Sequence, residues 1–213
     1  MAIDFSLANL TFDDNAALHR VKTGRPNLYI DVFSHLTRLI PSFSVPFCLP
    51  FGYGAKTNPK LINEASECFA ISGNFFRPEV SFHDLLEKYS AMLRTIELAL
   101  PVRLGSVLQL AIDIAEEEKN LRRTTSQNYY FLFVITAGVI DDFEDVVLPQ
   151  LARVAPLPLS VFVFTVANRN LKREDMESLR LQARTKAMQS QRTFLETFEV
   201  GDLNLDAIDK EVF

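Results

Sequence analysis

A chain of 213 residues with 48% hydrophobic and 23% charged residues has the balance of one globular domain and excludes a disordered protein. A domain of this size buries roughly 70% of the surface of its unfolded chain, so the core needs neither disulfides nor a structural metal. The formal net charge of −5 argues against nonspecific binding to nucleic acid or anionic membrane, and no apolar run approaches the ~20 residues that cross a bilayer.

Strand-like and helix-like segments alternate along the chain, which predicts an α/β fold with a mostly parallel sheet and helices on both faces. Residues 2–7 read as a first short strand. A helix over 27–40 follows, with Leu28, Val32, Leu36, Leu39 and Ile40 on one stripe and Pro41 ending it. Residues 45–51 read as a second strand, placed at an edge or bulge by Pro46 and Pro50, and Gly52-Tyr53-Gly54 turns the chain. Residues 67–71 suit a short third strand. Ser81 opens a helix with Asp84 as its capping-box partner, and Phe82, Leu85, Leu86, Tyr89, Met92, Leu93 and Ile96 recur at helical spacing before Pro101 breaks the pattern.

Residues 105–118 form the next helix, with Val107, Leu108, Ala111, Ile112 and Ala115 inward. The continuous apolar run 129–136 is a central strand covered on both faces. A helix over 148–154 carries Pro149 in its first turn, where the missing N–H costs little. A second central strand spans 159–166, a basic helix 172–189 and a last strand 193–200. Between Arg169 and Arg192 there are seven basic residues against three acidic ones. The simplest account is a solvated helix face, with partner binding through Lys172, Arg173, Arg180 and Arg184 as the functional one. Repeats and linkers are absent from the sequence.

Cys48 and Cys68 lie in apolar stretches without CxxC spacing and read as buried, reduced thiols. The amino-terminal residues MAIDFSLANL show neither signal nor transit features, so the expected location is cytoplasmic. His19, His35 and His83 are scattered and read as surface or satisfied core residues, not as metal ligands. "GYGAKT" at 52–57 lacks the glycines of a phosphate loop. No nucleophile, base and acid stand in suggestive order, so no catalytic residue and no cofactor-binding residue is assigned, and an enzyme is not expected.

Four segments in order carry a family resemblance: "AIDFSLAN" at 2–9, "FGYGAK" at 51–56, "YYFLFVITAGVIDD" at 129–142 and "LPLSVFVFTVANRN" at 157–170, with "RTFLETFEVGDL" at 192–203 closing the set. Together they resemble the copine-type von Willebrand factor A domain, with residues 57–105 the weakest match. The resemblance implies a doubly wound six-stranded sheet of order 3-2-1-4-5-6, one domain over 1–203 and a C-terminal extension over 204–213. It also places function at the carboxyl ends of the central strands, at the topological switch point. There the family holds a divalent cation through an aspartate and two hydroxyls of the first loop, a threonine of a second loop and the aspartate of a TDG turn. An acidic group of a partner can complete that shell.

Carried over by position, the resemblance matches Asp4 to the first aspartate and Ser6 to the first hydroxyl. Ala8 falls at the second hydroxyl, Val102 at the threonine and Ala137 at the TDG aspartate. Mg²⁺ wants six oxygens, and waters cannot replace a lost carboxylate charge. The expectation is a vestigial metal site, no bound cofactor, and a noncatalytic scaffold module within a larger assembly. The alternative is a cation-dependent adhesion or recruitment domain, in which Asp4 and Ser6 hold Mg²⁺ with help from Asn9, Ser106, Asp141 or Asp142. Arg103, Asp141 and Asp142 are candidate partner-binding residues at the rim, and Arg103 could bring positive charge to the cation position. The segment 57–80 is a further candidate surface. Partners are expected to be proteins, with no specific nucleic-acid binding. Calcium-dependent lipid binding and ubiquitin ligation are not carried over, because neither C2 nor zinc-ligand motifs appear in the sequence.

Overall fold

The first residues already form the centre of the sheet. Ala2–Asp4 (β1) is buried throughout, and it pairs in parallel with Phe51–Tyr53 (β3) on one side and Tyr130–Thr136 (β8) on the other. The structure, a computed structural model, describes residues 1–10, 18–20, 26–39, 47–121, 127–166 and 194–200. Leu159–Thr165 (β9) continues the sheet beside β8 over seven paired residues, and Leu195–Glu199 (β10) lies beyond it in parallel. At the other edge Phe69–Ala70 (β5) runs antiparallel to β3. The sheet order β10-β9-β8-β1-β3-β5, read from the β5 edge in chain order of its six strands, is 3-2-1-4-5-6. The doubly wound α/β architecture therefore stands as expected.

Strand alternation sorts the core into two layers. Ala2, Leu132, Val134, Val161 and Val163 face Gly105–Asn120 (α3) and Leu148–Val154 (α4). Ile3, Phe5, Ile135, Phe162 and Phe164 belong to the opposite layer with Leu28–Leu39 (α1) and Leu85–Met92 (α2). In α1 the buried residues Tyr29, Val32, Phe33 and Leu36 recur at three- and four-residue intervals. Each such side chain contributes roughly 1.5–3 kcal/mol when fully buried.

Several element boundaries differ from the sequence reading. The strand expected over 45–51 is two pieces: Phe47–Cys48 (β2) pairs antiparallel with Val80–Ser81 (β6), and β3 starts after Pro50. Pro50 lacks an N–H, and its carbonyl instead accepts the Ile71 N–H at 3.0 Å, so the chain changes partners there. The helix expected from Ser81 begins at Leu85 and ends at Met92. Ser81 accepts the Asp84 N–H and donates to its carboxylate, and this closes a turn ahead of the helix. Glu97–Leu98 (β7) then pairs with Ala55–Lys56 (β4). Helix α4 has the expected bounds, but Phe143–Val147 forms a π-helical turn in front of it.

Cys48 and Cys68 are free and half-buried, and burial pushes both thiols up, Cys68 to about 11. No helix among the described residues is long and apolar enough to cross a membrane. The expected basic helix 172–189, with Lys172, Arg173, Arg180 and Arg184, lies outside the described residues, as does the expected extension 204–213.

Candidate functional site

The carboxyl ends of β1, β3 and β8 meet at one edge, and Asp4 stands at its centre. The Asp4 side chain is fully buried. Its Oδ1 accepts the Ser6 N–H at 2.8 Å, and its Oδ2 accepts the Ala137 N–H at 2.9 Å and the Thr136 hydroxyl at 3.1 Å. Burial pushes the carboxyl above the usual carboxylate range, while the hydrogen bonds from Ser6, Ala137 and Thr136 oppose that shift by favouring the ionised form. The aspartate thus ties the first loop to the turn after β8, and both of its oxygens are occupied within the chain.

Each loop around Asp4 is fixed by its own local chemistry. Ser6 Oγ accepts the Ala8 N–H at 3.3 Å and so caps a 3-10 turn over Leu7–Asn9. Asn9 turns inward, where its amide donates to the Asp4 and Ser6 carbonyls and its Oδ1 accepts the Tyr29 hydroxyl at 2.6 Å. Gly54 has φ +77, and a Cβ there would meet Ser6 Cβ at 2.7 Å, so the "FGYGAK" turn needs glycine to pass beside the first loop. Lys56 of that turn pairs with Glu97 at 2.7 Å and bridges β4 to β7.

His19 completes the layer beneath. It is stacked against Phe5 and Tyr29 at ring centroid distances of 5.1 and 4.3 Å. Its Nε2–H donates to the Asp4 carbonyl at 2.8 Å, and its Nδ1 accepts the Tyr89 hydroxyl at 2.7 Å. Burial lowers its pKa to about 4, so the ring is neutral and every polar atom on it is satisfied. This is the satisfied core histidine that the sequence suggested.

The second loop and the turn after β8 are joined by two consecutive carboxylates. Asp141 Oδ2 accepts the Val102 N–H at 2.7 Å, and the Asp141 N–H donates to the Val102 carbonyl at 2.7 Å. Asp142 accepts the Leu104 and Gly105 N–H groups at 3.0 and 2.9 Å. It therefore caps α3 from a distant loop and places negative charge at the positive end of the helix dipole. Arg103 points elsewhere than Asp4: its guanidinium pairs with Glu67 at 2.7 Å, and Ser106 Oγ donates to the other Glu67 oxygen at 2.8 Å. Glu67, Arg103, Ser106, Asp141 and Asp145 line an open cleft of about 500 Å³ beside the α3 amino terminus.

The structure therefore brings Asp4, Ser6 and Ala137 into one cluster, and places Val102, Arg103, Asp141 and Asp142 in an adjacent one. Ala8, Val102 and Ala137 bring no side-chain oxygen to the edge. Asn9, Ser106, Asp141 and Asp142, the residues that could have compensated, are each engaged in hydrogen bonds within the chain. No group of three or more histidine, cysteine, aspartate or glutamate side chains suited to a metal ion occurs among the described residues. The sequence reading missed Thr136, whose hydroxyl is a partner of Asp4, and Glu67, which takes Arg103 away from the edge. The "IT" ending of β8 was a signal for the first, and nothing in the sequence marks the second.

The copine family model matches residues 17–203, a span that starts after Asp4, Ser6 and Ala8. Protein BONZAI 1 of Arabidopsis thaliana is 28% identical over 182 residues, covering 84% of this chain and 30% of that protein. Protein BONZAI 2 of the same plant is 27% identical over the same coverage. The chain thus spans about a third of the length of these relatives. By the family match over most of its length, this chain belongs to the copine family.

Proposed function

We propose that this chain is a noncatalytic protein-interaction module, a copine-like domain over residues 1–203 followed by a short extension over 204–213. In this reading its carboxyl edge has lost its cation and serves as a contact surface within a larger assembly, with neither metal nor organic cofactor. The observation that carries it is the state of Asp4, which is fully buried with both carboxylate oxygens taken by donors of the chain itself. A hard cation would have to displace those donors, and three of the five family ligand positions offer only carbon. The loops that leave β1, β4 and β7 expose Leu10, Leu61, Ile62 and Leu100, Leu61 at 82% exposure. Exposed apolar side chains on such loops, with a sealed polar group at the strand ends, suit a protein partner. The partner would be intracellular, as the sequence expectation has it.

Calorimetry with Mg²⁺, Mn²⁺ and Ca²⁺ tests the reading. A flat titration is expected for the natural chain, and measurable binding for the combined variant Ala8→Ser, Val102→Thr and Ala137→Asp. A micromolar isotherm in the natural chain that disappears in Asp4→Ala would overturn it in favour of a cation-dependent recruitment domain. A paired Leu61→Asp and Leu100→Asp variant should leave the assembly while keeping its fold.

A further inference from the structure

Two surfaces of opposite character adjoin where the first loop meets the loop after β7. Ser6 forms a parallel bridge with Ala99, and the Leu7 N–H donates to the Ala99 carbonyl at 2.9 Å. The residues that follow on the two segments, Leu7 and Leu100, are therefore neighbours. Leu10 comes one 3-10 turn later, its N–H on the Leu7 carbonyl at 3.0 Å, and residues three apart in such a turn lie on one side. All three leucines are exposed, Leu7 at 38%, Leu10 at 49% and Leu100 at 57%. Pro101 is next in the chain and lines the cleft beside α3, so the apolar patch runs up to that cleft. The cleft has the opposite chemistry. Glu67, Asp141, Asp142 and Asp145 bring four carboxylates to its wall, against the single guanidinium of Arg103, which is turned to Glu67 at 2.7 Å. The Ser106 hydroxyl and the Gln150 amide already donate within the chain. Asp141 uses one carboxylate oxygen for Val102, and no hydrogen bond or ion pair engages the Asp145 carboxylate among the described residues.

Resting on the reading of this edge as a protein contact surface, we propose that the leucine patch and the adjoining cleft together dock a segment of a different protein in which apolar side chains stand beside a lysine or arginine. The leucines take the apolar side chains, and the cleft takes the cation. Charge complementarity fixes that choice: an acidic segment would meet uncompensated carboxylates, and like charges brought together in an interface cost several kcal/mol. A purely apolar segment would cover the carboxylates without pairing them. The same charges repel phosphate, so an anionic lipid surface does not fit. The stretch from Arg169 to Arg192 of this chain also mixes leucines with basic residues. A contact between that stretch and the edge of an identical copy would be heterologous, however, and such contacts propagate into filaments unless the rotation closes.

The test places a photoreactive benzoyl-phenylalanine at position 10 of the full chain in its native cells, with the same group at exposed Glu117 on α3 as control. The expected result is a discrete adduct with one different protein, absent from the control and mapped to a segment that holds lysine or arginine among apolar residues. With the two proteins purified, Asp145→Lys should weaken binding roughly 10-fold at low salt, the lower end of electrostatic steering. Changing the mapped basic residue of the partner to glutamate should restore binding to that variant and weaken binding to the natural chain. Asp145→Lys should leave Tm unchanged, since the carboxylate holds no described contact. Failure to cross-link above the control, an adduct within this chain, with a second copy or with lipid, or a mapped segment without a basic residue would each overturn the proposal. An affinity indifferent to Asp145→Lys would overturn it as well. If Leu61→Asp with Leu100→Asp still released the partner in that case, the edge would stand as a contact surface and only its cationic partner would fall. A cation isotherm lost in Asp4→Ala would instead remove the reading of the edge on which the proposal rests.

Discussion

Replacing Asp4 by asparagine is nearly isosteric and isolates what the buried carboxylate does. The natural side chain accepts at both oxygens: from Ser6 N–H on one side, and from Ala137 N–H and the Thr136 hydroxyl on the other. An amide has a single oxygen. If that oxygen faces Ala137, the NH₂ group meets the Ser6 N–H; if it faces Ser6, the NH₂ meets the Ala137 N–H. Thr136 can adapt by accepting instead of donating, but a main-chain N–H cannot. One buried N–H is therefore orphaned in either orientation, at about 1–3 kcal/mol, and the remaining bonds lose their ionic character. Relief of the carboxylate desolvation offsets part of this. The net expectation is a loss of about 2 kcal/mol, which for a chain of this size lowers Tm by about 4–8 °C. Thermal and urea unfolding of both proteins, each in EDTA and in excess Mg²⁺, measure it. The same loss is expected in both conditions. An Asp4→Asn protein as stable as the natural one in EDTA, with a difference appearing only in Mg²⁺, would refute the reasoning.

Other perturbations follow from the same contacts. Alanine normally stabilises a helix relative to glycine by about 1 kcal/mol. In Gly105→Ala, however, the new Cβ would lie 2.5 Å from Val146 Cγ1 and 2.7 Å from Asp142 Oδ2, so a net loss of about 1–3 kcal/mol in urea unfolding is expected. Asp142→Ala removes the cap of α3 and should cost about 2 kcal/mol, with faster amide exchange confined first to residues 104–106. His19 has a folded pKa of about 4 against an ordinary value of 6.5. Its contribution to stability is complete above pH 6.5 and is lost as the pH falls through 4, amounting to about 3 kcal/mol. His19→Phe keeps the stacking but loses the bonds to the Asp4 carbonyl and the Tyr89 hydroxyl, so it should be less stable at neutral pH and should depend less steeply on pH than the natural chain between 6.5 and 4.

The parts legible in the sequence are those whose side chains carry a period. The run of β9 is buried throughout, as a strand covered on both faces should be, whereas β8 is buried only towards its carboxyl end and leaves Phe131 exposed, which its unbroken apolar run did not predict; Leu148–Val154 matches α4 because Pro149 fits the start of a helix. "VPFCLPF" reads as one strand followed by a turn at Gly52-Tyr53-Gly54; Pro50 signals an edge or bulge but not an exchange of partners, and Gly52 and Tyr53 prove to belong to β3. The two-residue pairings of β2 with β6 and β4 with β7 are too short to leave any alternation. Helical spacing ran on to Ile96 because Leu93 and Ile96 still pack against the core after the helix has ended at Met92. At the edge, the sequence identified Asp4, Ala137, Asp141 and Asp142 as neighbours of interest. It could not name their partners, because most are main-chain N–H groups, which every residue but proline possesses.

That last fact sets how the edge can change over generations. Asp4 holds Ala137 through the backbone, Asp141 holds Val102 in the same way, and Asp142 holds Leu104 and Gly105. Substitution at 102, 104 or 137 keeps the N–H that makes each bond, but Val102, Leu104 and Ala137 are buried in the core. Packing, and not hydrogen bonding, is therefore what limits the side chains at these positions. An exchange that conserves volume leaves the loops tied, whereas a bulky or charged side chain has to open the core to enter.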